Sequence, residues 1–365
     1  MVWEGLCKAK PYLAMVSLQL GYAGMHIITL VSLNHGMSHY VLAVYRHVVA
    51  TLVISPFAIL LERKVRTKLT FSIFLRIMLL GFLKPVLDQN LYYAGMKSTS
   101  ATFAAAIINV LPAVTFVMAL ILRLEKVNVK EIRSLAKVLG TVVTVCGAMA
   151  MALFKGHALD IIKLRGMHCH HQIATKPASQ DWVTGMLMLL ASCCVWSGFI
   201  ILQSFTLKKY PAELSLAALI CFIGAIQGAA LSLIVEHDRR AWMIGWDSRL
   251  LAVVYSGVVC AGIALYVQGM VMKERGPVFV TAFSPLSMIL TAALGWIVLC
   301  EKLQSGSIIG AIFIILGLYT VVWGKGGKSE ECRGGSDTDA EKFAAVGLAV
   351  SSFVKQAEGG SIGYV

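Results

Sequence analysis

At 365 residues, 58% hydrophobic and only 14% charged, the chain departs from soluble domains, which run near 45–50% apolar and about 25% charged. Its net charge of +13 is read as Lys and Arg collected in the loops of a membrane protein, which sets aside nucleic-acid binding as its cause. The nine Cys support no disulfide framework: Cys146, Cys193, Cys194, Cys221, Cys260 and Cys300 lie in or beside apolar runs, where a thiol behaves as a small hydrophobe.

Lys8 and Lys10 precede an apolar run from Pro11 to Leu33. The run is longer than a signal-peptide core, offers no clear small-x-small cleavage site and is followed by many similar runs, so it reads as a first span. A span needs about 20 mostly apolar residues. Ten segments qualify, at residues 11–31, 40–60, 74–94, 101–122, 136–154, 185–207, 214–235, 250–271, 279–299 and 306–323. The expectation is an all-α integral membrane protein with ten transmembrane helices. Residues 1–10 form an N-terminal segment, 11–154 and 185–324 two five-helix halves, 155–184 a variable extramembrane loop and 325–365 a polar, disordered tail.

The loops divide unevenly in charge. With a cytosolic N-terminus, seventeen Lys and Arg flank the spans on the inside and nine on the outside, four of these in the long loop. The positive-inside rule then places both termini in the cytosol.

The halves also repeat. A shift of 176 residues carries Gly81 onto Gly257, Lys97 onto Lys273, Phe103 onto Phe279, Ala106 onto Ala282 and Glu125-Lys126 onto Glu301-Lys302. Gly140 and Gly147 match Gly310 and Gly317 at a slightly smaller shift. Apolar helices resemble one another by chance, but the charged matches speak for a true repeat. Five spans per repeat make the second enter the membrane from the opposite side. Inverted repeats mark secondary transporters, with the site near the midplane between the halves.

The stretch from Gly81 to Pro112 carries the chemistry. Lys84 and Asp88, four residues apart, share a helix face, and charges at membrane depth face a bundle interior or a wet cavity. Pro85 leaves a carbonyl free and bends the helix. The pair either lines a substrate or ion path, with Gln89, Asn90 and Tyr92 beside it, or is a structural pair near the wet end of a span, or Lys84 snorkels. Arg46, about two turns into the second span, either binds an anionic group such as a carboxylate, or snorkels, or pairs with Asp88. Gln19, Asn109, Gln203, Gln227, Tyr266, Gln268 and Trp196 are single polar or aromatic groups in spans, each serving as helix glue or as pocket wall. Asn109 and Pro112 in the fourth span stand opposite Ser284 and Pro285 in the ninth, and helix breaks at matching positions point to a transporter site. The run His168–His171 (HCHH) is a poor metal site, because four adjacent residues cannot all reach one ion. No P-loop, HExxH, GxSxG or dinucleotide fingerprint is present, so an enzyme, an ATP-driven pump, a metal and a cofactor all lack support.

The segments LNHGMSHYVLAVYRH, LDQNLYYAGMKSTSATFAAAI, YPAELSL, GPVFVTAFSPL and GLYTVVWGKG resemble the plant nodulin-21-like, walls-are-thin-related transporters, EamA-type members of the drug/metabolite transporter superfamily. The resemblance spans Pro11 to Lys325. It implies two inverted five-helix EamA repeats and transport of amino acids, or in some members auxin, at the plasma membrane or the vacuolar membrane. Lys84 stands where relatives more often carry an acidic residue, which either favours an anionic ligand or removes a proton-carrying group, and so speaks against a mechanism that relies on an acid there; Thr67 stands where a proline is usual. The expected activity is alternating-access transport of a small metabolite, an amino acid or organic anion. A weak acid such as auxin is the alternative substrate, and a non-transporting scaffold or receptor the alternative class. Arg46, Lys84, Asp88, Gln89, Asn90, Asn109, Trp196, Tyr266 and Ser284 are the expected site residues. The expected partners are the bilayer and the substrate, with no nucleic acid; a homodimer is left open.

Overall fold

The computed structural model describes residues 2–34, 37–63, 66, 68–99, 104, 107–124, 131–153, 182–237, 242, 245, 247–298 and 305–325. The HCHH run, Thr67, both Glu-Lys pairs of the repeat and the tail lie outside them.

All regular secondary structure among the described residues is helical. The first half contributes α1 (Val2–Asn34), α2 (His39–Leu61), α3 (Phe71–Gly81), α4 (Gln89–Ser98), α5 (Leu111–Ile121) and α6 (Ile132–Leu153). The second contributes α7 (Trp182–Lys209), α8 (Glu213–Val235), α9 (Ser248–Tyr255), α10 (Ala264–Arg275), α11 (Pro277–Ala282), α12 (Ser284–Val298) and α13 (Ser305–Lys325). Of the ten spans expected, five stretches among the described residues are long and apolar enough to cross a membrane: His39–Leu61, Val183–Lys209, Glu213–Val235, Ser248–Arg275 and Pro277–Gly295. Shorter apolar helices run over Leu111–Ile121, Ser134–Ala150 and Ile309–Val321. The outward faces carry Leu52, Leu60, Phe74, Leu75, Ile226, Ile312 and Ile315, all exposed. Apolar surface on this scale suits a lipid environment, where backbone polar groups are satisfied within helices.

Two π-helical turns interrupt the helices, Phe82–Asp88 between α3 and α4 and Ser256–Ile263 between α9 and α10. Shifting the first by the repeat distance of 176 puts it on 258–264, almost on the second. Pro85 lacks an N–H and accounts for the lost regularity of the first turn. The second holds no proline, so the shared position, not the shared sequence, distinguishes them. Each turn is crossed by a helix of the other half at a glycine. A Cβ on Gly81 would lie 2.9 Å from Ile223 Cγ2 and 3.2 Å from the Gly224 nitrogen of α8. One on Gly257 would lie 2.8 Å from the Arg46 carbonyl oxygen of α2. Only glycine lets backbones approach so closely.

The last helices of the halves cross antiparallel in the same manner. Gly140 of α6 meets Gly317 of α13, and Gly147 meets Gly310; the Cβ-to-oxygen distances would be 2.8 and 3.0 Å. The expected breaks in the fourth and ninth spans are present as turns at Asn109–Val110 and at Phe283. Gly276, with φ of 84°, ends α10 in a conformation that L side chains rarely adopt, and Pro277 opens α11 behind it.

Helices α2 and α8 form the central antiparallel pair, and a glutamate clasps each end. Glu62, just past α2 and 1% exposed, accepts the N–H groups of Leu214 and Ser215 at 3.0 and 2.7 Å, so it caps α8. Arg66 donates to Ser215 Oγ at 3.2 Å beside it. At the far end Glu236, just past α8, accepts the hydroxyl of Ser38, the N-cap of α2, at 2.7 Å.

Candidate functional site

Close approach of two helices builds the site. Gly95 of α4 and Gly185 of α7 pack so tightly that a Cβ on Gly95 would sit 2.8 Å from the Gly185 carbonyl oxygen. The antiparallel crossing then sets side chains four residues apart on one helix against side chains four apart on the other. Asp88 meets Ser192, and Lys84 meets Trp196.

Asp88 is 4% exposed and fully engaged. Its Oδ2 takes a 2.7 Å ion pair from Lys84 Nζ, and its Oδ1 accepts the Ser192 hydroxyl at 2.6 Å. Lys84 Nζ also stands 3.2 Å from the centroid of the Trp196 ring, so the ammonium is held by a carboxylate and an aromatic face together. The expected sharing of a face by Lys84 and Asp88 is therefore realised as a direct ion pair. Arg46 does not take that place on Asp88.

Arg46 lies half-buried on α2. Its Nη1 points to Met25 Sδ of α1 at 3.6 Å, and its buried Nε has no hydrogen-bond partner among the described residues. Arg46 lies close enough to Lys84 and to Tyr93 of α4 to act on both electrostatically. A buried donor left unsatisfied is costly, and such groups in native folds call for a reason. Among the described residues, Arg46 and Lys84 bring two cations to this region and Asp88 a carboxylate.

A small cleft lies toward the Glu236 end of the α2–α8 pair. His39 and Tyr40 of α2, Gln89, Asn90 and Tyr93 of α4, and Ser232 of α8 line it. Ala43, Pro85, Gly228 and Leu231 complete its lining. Pro85 adjoins Lys84 in the chain, and Ala43 lies one turn from Arg46. Gln89 leaves its buried Oε1 without a partner among the described residues, while Asn90 turns its amide back onto the Val86 carbonyl. Tyr93 stacks against His39 with ring centroids 4.7 Å apart.

The other expected residues serve elsewhere. Asn109 sits at the break before α5 and donates to Met288 Sδ of α12 at 2.9 Å, which links the two breaks across the halves. Tyr266 is buried in the main apolar core, and Ser284 opens α12, where its carbonyl accepts the Ser287 hydroxyl. Gln203 and Gln268 bond each other at 2.8 Å as helix glue. Ser192 escaped the sequence reading, because one serine in an apolar helix looks like any other. Its spacing of four from Trp196, mirroring Lys84 and Asp88, is the signal that was available.

A model of the EamA-like transporter family matches the chain twice, over residues 10–153 and 183–323. Similar proteins of Arabidopsis thaliana include the WAT1-related protein At1g21890, 58% identical over 89% of this chain and 87% of its own length. At4g08300 is 55% identical over 97% and 94%, and At1g44800 59% identical over 87% and 86%. A solved crystal structure superposes with a TM-score of 0.66 over 86% of this chain and 98% of its own, at 17% identity, so the two share a fold.

Proposed function

The chain belongs to the EamA-like transporter family and is a multi-pass membrane transporter, and we propose that it moves amino acids by alternating access between two inverted five-helix repeats. The observation that carries the substrate reading is the pairing of opposite charges in one interior. The unpartnered Nε of Arg46 offers a donor for a carboxylate, and the Lys84–Asp88 pair offers both signs beside it. An amino acid brings the complementary carboxylate and ammonium. Gln89 and Asn90 line the approach, and Trp196 walls the site.

Alternating access draws support from the α2–α8 pair. Crossing glycines at matching positions, π turns at matching positions and antiparallel contacts between halves fit ten spans in two inverted repeats. The Glu62 clasp, buried and doubly bonded, suits a state closed at that end; the cleft suits one open at the other. The Lys and Arg asymmetry supports a cytosolic position for both termini, and the plasma membrane is the proposed site of action. The Glu62 end then faces the cytosol.

The test is uptake and efflux of labelled amino acids in a heterologous cell. Arg46→Gln and Asp88→Asn are each expected to lose at least about tenfold in rate, since a charge-assisted hydrogen bond contributes about 1.5–3 kcal/mol. Wild-type rates in both variants at equal surface expression would remove these residues from the site.

A further inference from the structure

We propose that Lys84 is a tethered cation occupying an ammonium-binding position formed by Asp88 and the face of Trp196, and that it thereby makes the transporter reject substrates with a cationic side chain. The inference rests on the transport reading above for its substrate class, and on geometry for its site.

A carboxylate and an indole face converging on one point are the parts from which ammonium sites are made. Here they converge on Lys84 Nζ, 2.7 Å from Asp88 Oδ2 and 3.2 Å from the Trp196 ring centroid. Ser192 holds the other carboxylate oxygen at 2.6 Å, so the acceptor is oriented independently of the lysine. The lysine side chain is 24% exposed against 6% for Asp88, so the lysine is the outer member of the pair. Any free ammonium of similar size would find the same two partners if Lys84 were absent. With Lys84 present the position is taken, and the nearby charge among the described residues, two cations against one carboxylate, is positive. An amino acid's own ammonium comes balanced by the carboxylate it brings to Arg46, whereas a further cation on its side chain would meet repulsion with no carboxylate left to offset it. A carboxylate would meet Arg46, whose Nε is unpartnered among the described residues. The order of preference that follows is acidic and neutral amino acids before lysine and arginine.

A merely structural ion pair makes a different forecast. Replacing its lysine would weaken the fold and create no new binding. The discriminating variant is Lys84→Gln, which keeps a donor toward Asp88 and removes the charge. The full chain is purified in nanodiscs, and its thermal unfolding is followed while methylammonium chloride replaces sodium chloride at constant ionic strength. A saturable rise of the melting midpoint is expected in Lys84→Gln, with none in the wild type or in Lys84→Gln/Asp88→Asn. A flat response in Lys84→Gln overturns the proposal.

Flux in proteoliposomes supplies a second measurement. Wild-type protein is expected to move glutamine at least about tenfold faster than lysine, and Lys84→Gln to narrow that ratio by about tenfold. Wild-type lysine flux equal to that of glutamine overturns the proposal, and this comparison needs no variant to fold. A wild type that moves neither amino acid retires the substrate reading, while the methylammonium titration still decides the ammonium site.

Discussion

Ser192 fixes where the charge of Asp88 sits. Its hydroxyl bonds Oδ1 at 2.6 Å, leaving Oδ2 for Lys84. Ser192→Ala removes one donor from a buried carboxylate without touching either charge. A hydrogen bond to a charged group contributes about 1.5–3 kcal/mol, so the apparent substrate affinity is expected to fall by about tenfold, with surface expression kept. Half-saturation concentrations of labelled glutamine uptake measure this, and Ser192→Thr, which keeps the hydroxyl, should stay near wild type. Equal losses in both variants would mean that Ser192 matters for packing and not for its donor. The Lys84–Asp88 pair was legible from two charges at helical spacing in an apolar run. Its partners were not, because Ser192 and Trp196 reach it only through the register between α4 and α7. That register is set by Gly95 and Gly185, two glycines about ninety residues apart with nothing local to mark them.

At the scale of helices, glycine decides how close the halves come. The correspondences of Gly81 with Gly257, and of Gly140 and Gly147 with Gly310 and Gly317, were visible in the sequence as a repeat. In the fold these glycines are crossing points, which is why they recur at matching positions. The π turns were not legible: SGVVCAGI reads as ordinary apolar helix, and Pro85 announced only a bend in the first half. Nothing local to Glu62 and Glu236 marks them as clasps, since their partners lie on the facing helix. The glycine contacts make a sharp stability forecast. A Cβ on Gly317 would lie 2.2 Å from Thr144 Oγ1 and 2.6 Å from the Thr144 nitrogen, and backbone cannot move aside as a side chain can. Gly317→Ala is therefore expected to cost about 1–3 kcal/mol, seen as a lower thermal unfolding midpoint in detergent. Gly269→Ala, whose new Cβ would meet nothing nearer than 3.6 Å, is expected to be neutral and serves as the control.

For the molecule as a whole, the two glutamate clasps form one device with two ends. Each closes a helix terminus of the opposite half, Glu62 on α8 and Glu236 on α2, and they lie at opposite ends of the same antiparallel pair. The Glu62 end is the tighter, with two backbone donors and almost no exposure. The Glu236 end has a single hydroxyl donor and the cleft beside it. If α2 and α8 rock against each other, loosening one end favours the state in which the other closes. A shift of this kind needs a difference in free energy between the two states, and the clasps supply one. Each charged hydrogen bond contributes about 1.5–3 kcal/mol, enough to move the balance by about tenfold or more. The reporter is Leu231→Cys, in the wall of the cleft, in a background with the native cysteines replaced. Its labelling by a small thiol reagent is expected to fall about tenfold in Glu62→Ala, because that end opens and the cleft closes. In Glu236→Ala it is expected to rise, and in the double variant to return toward the starting rate. Opposite signs are the signature of a see-saw about the α2–α8 crossing. Two independent caps would instead each lower the unfolding midpoint and move the labelling in the same direction, or not at all, and that result would reduce the clasps to helix capping.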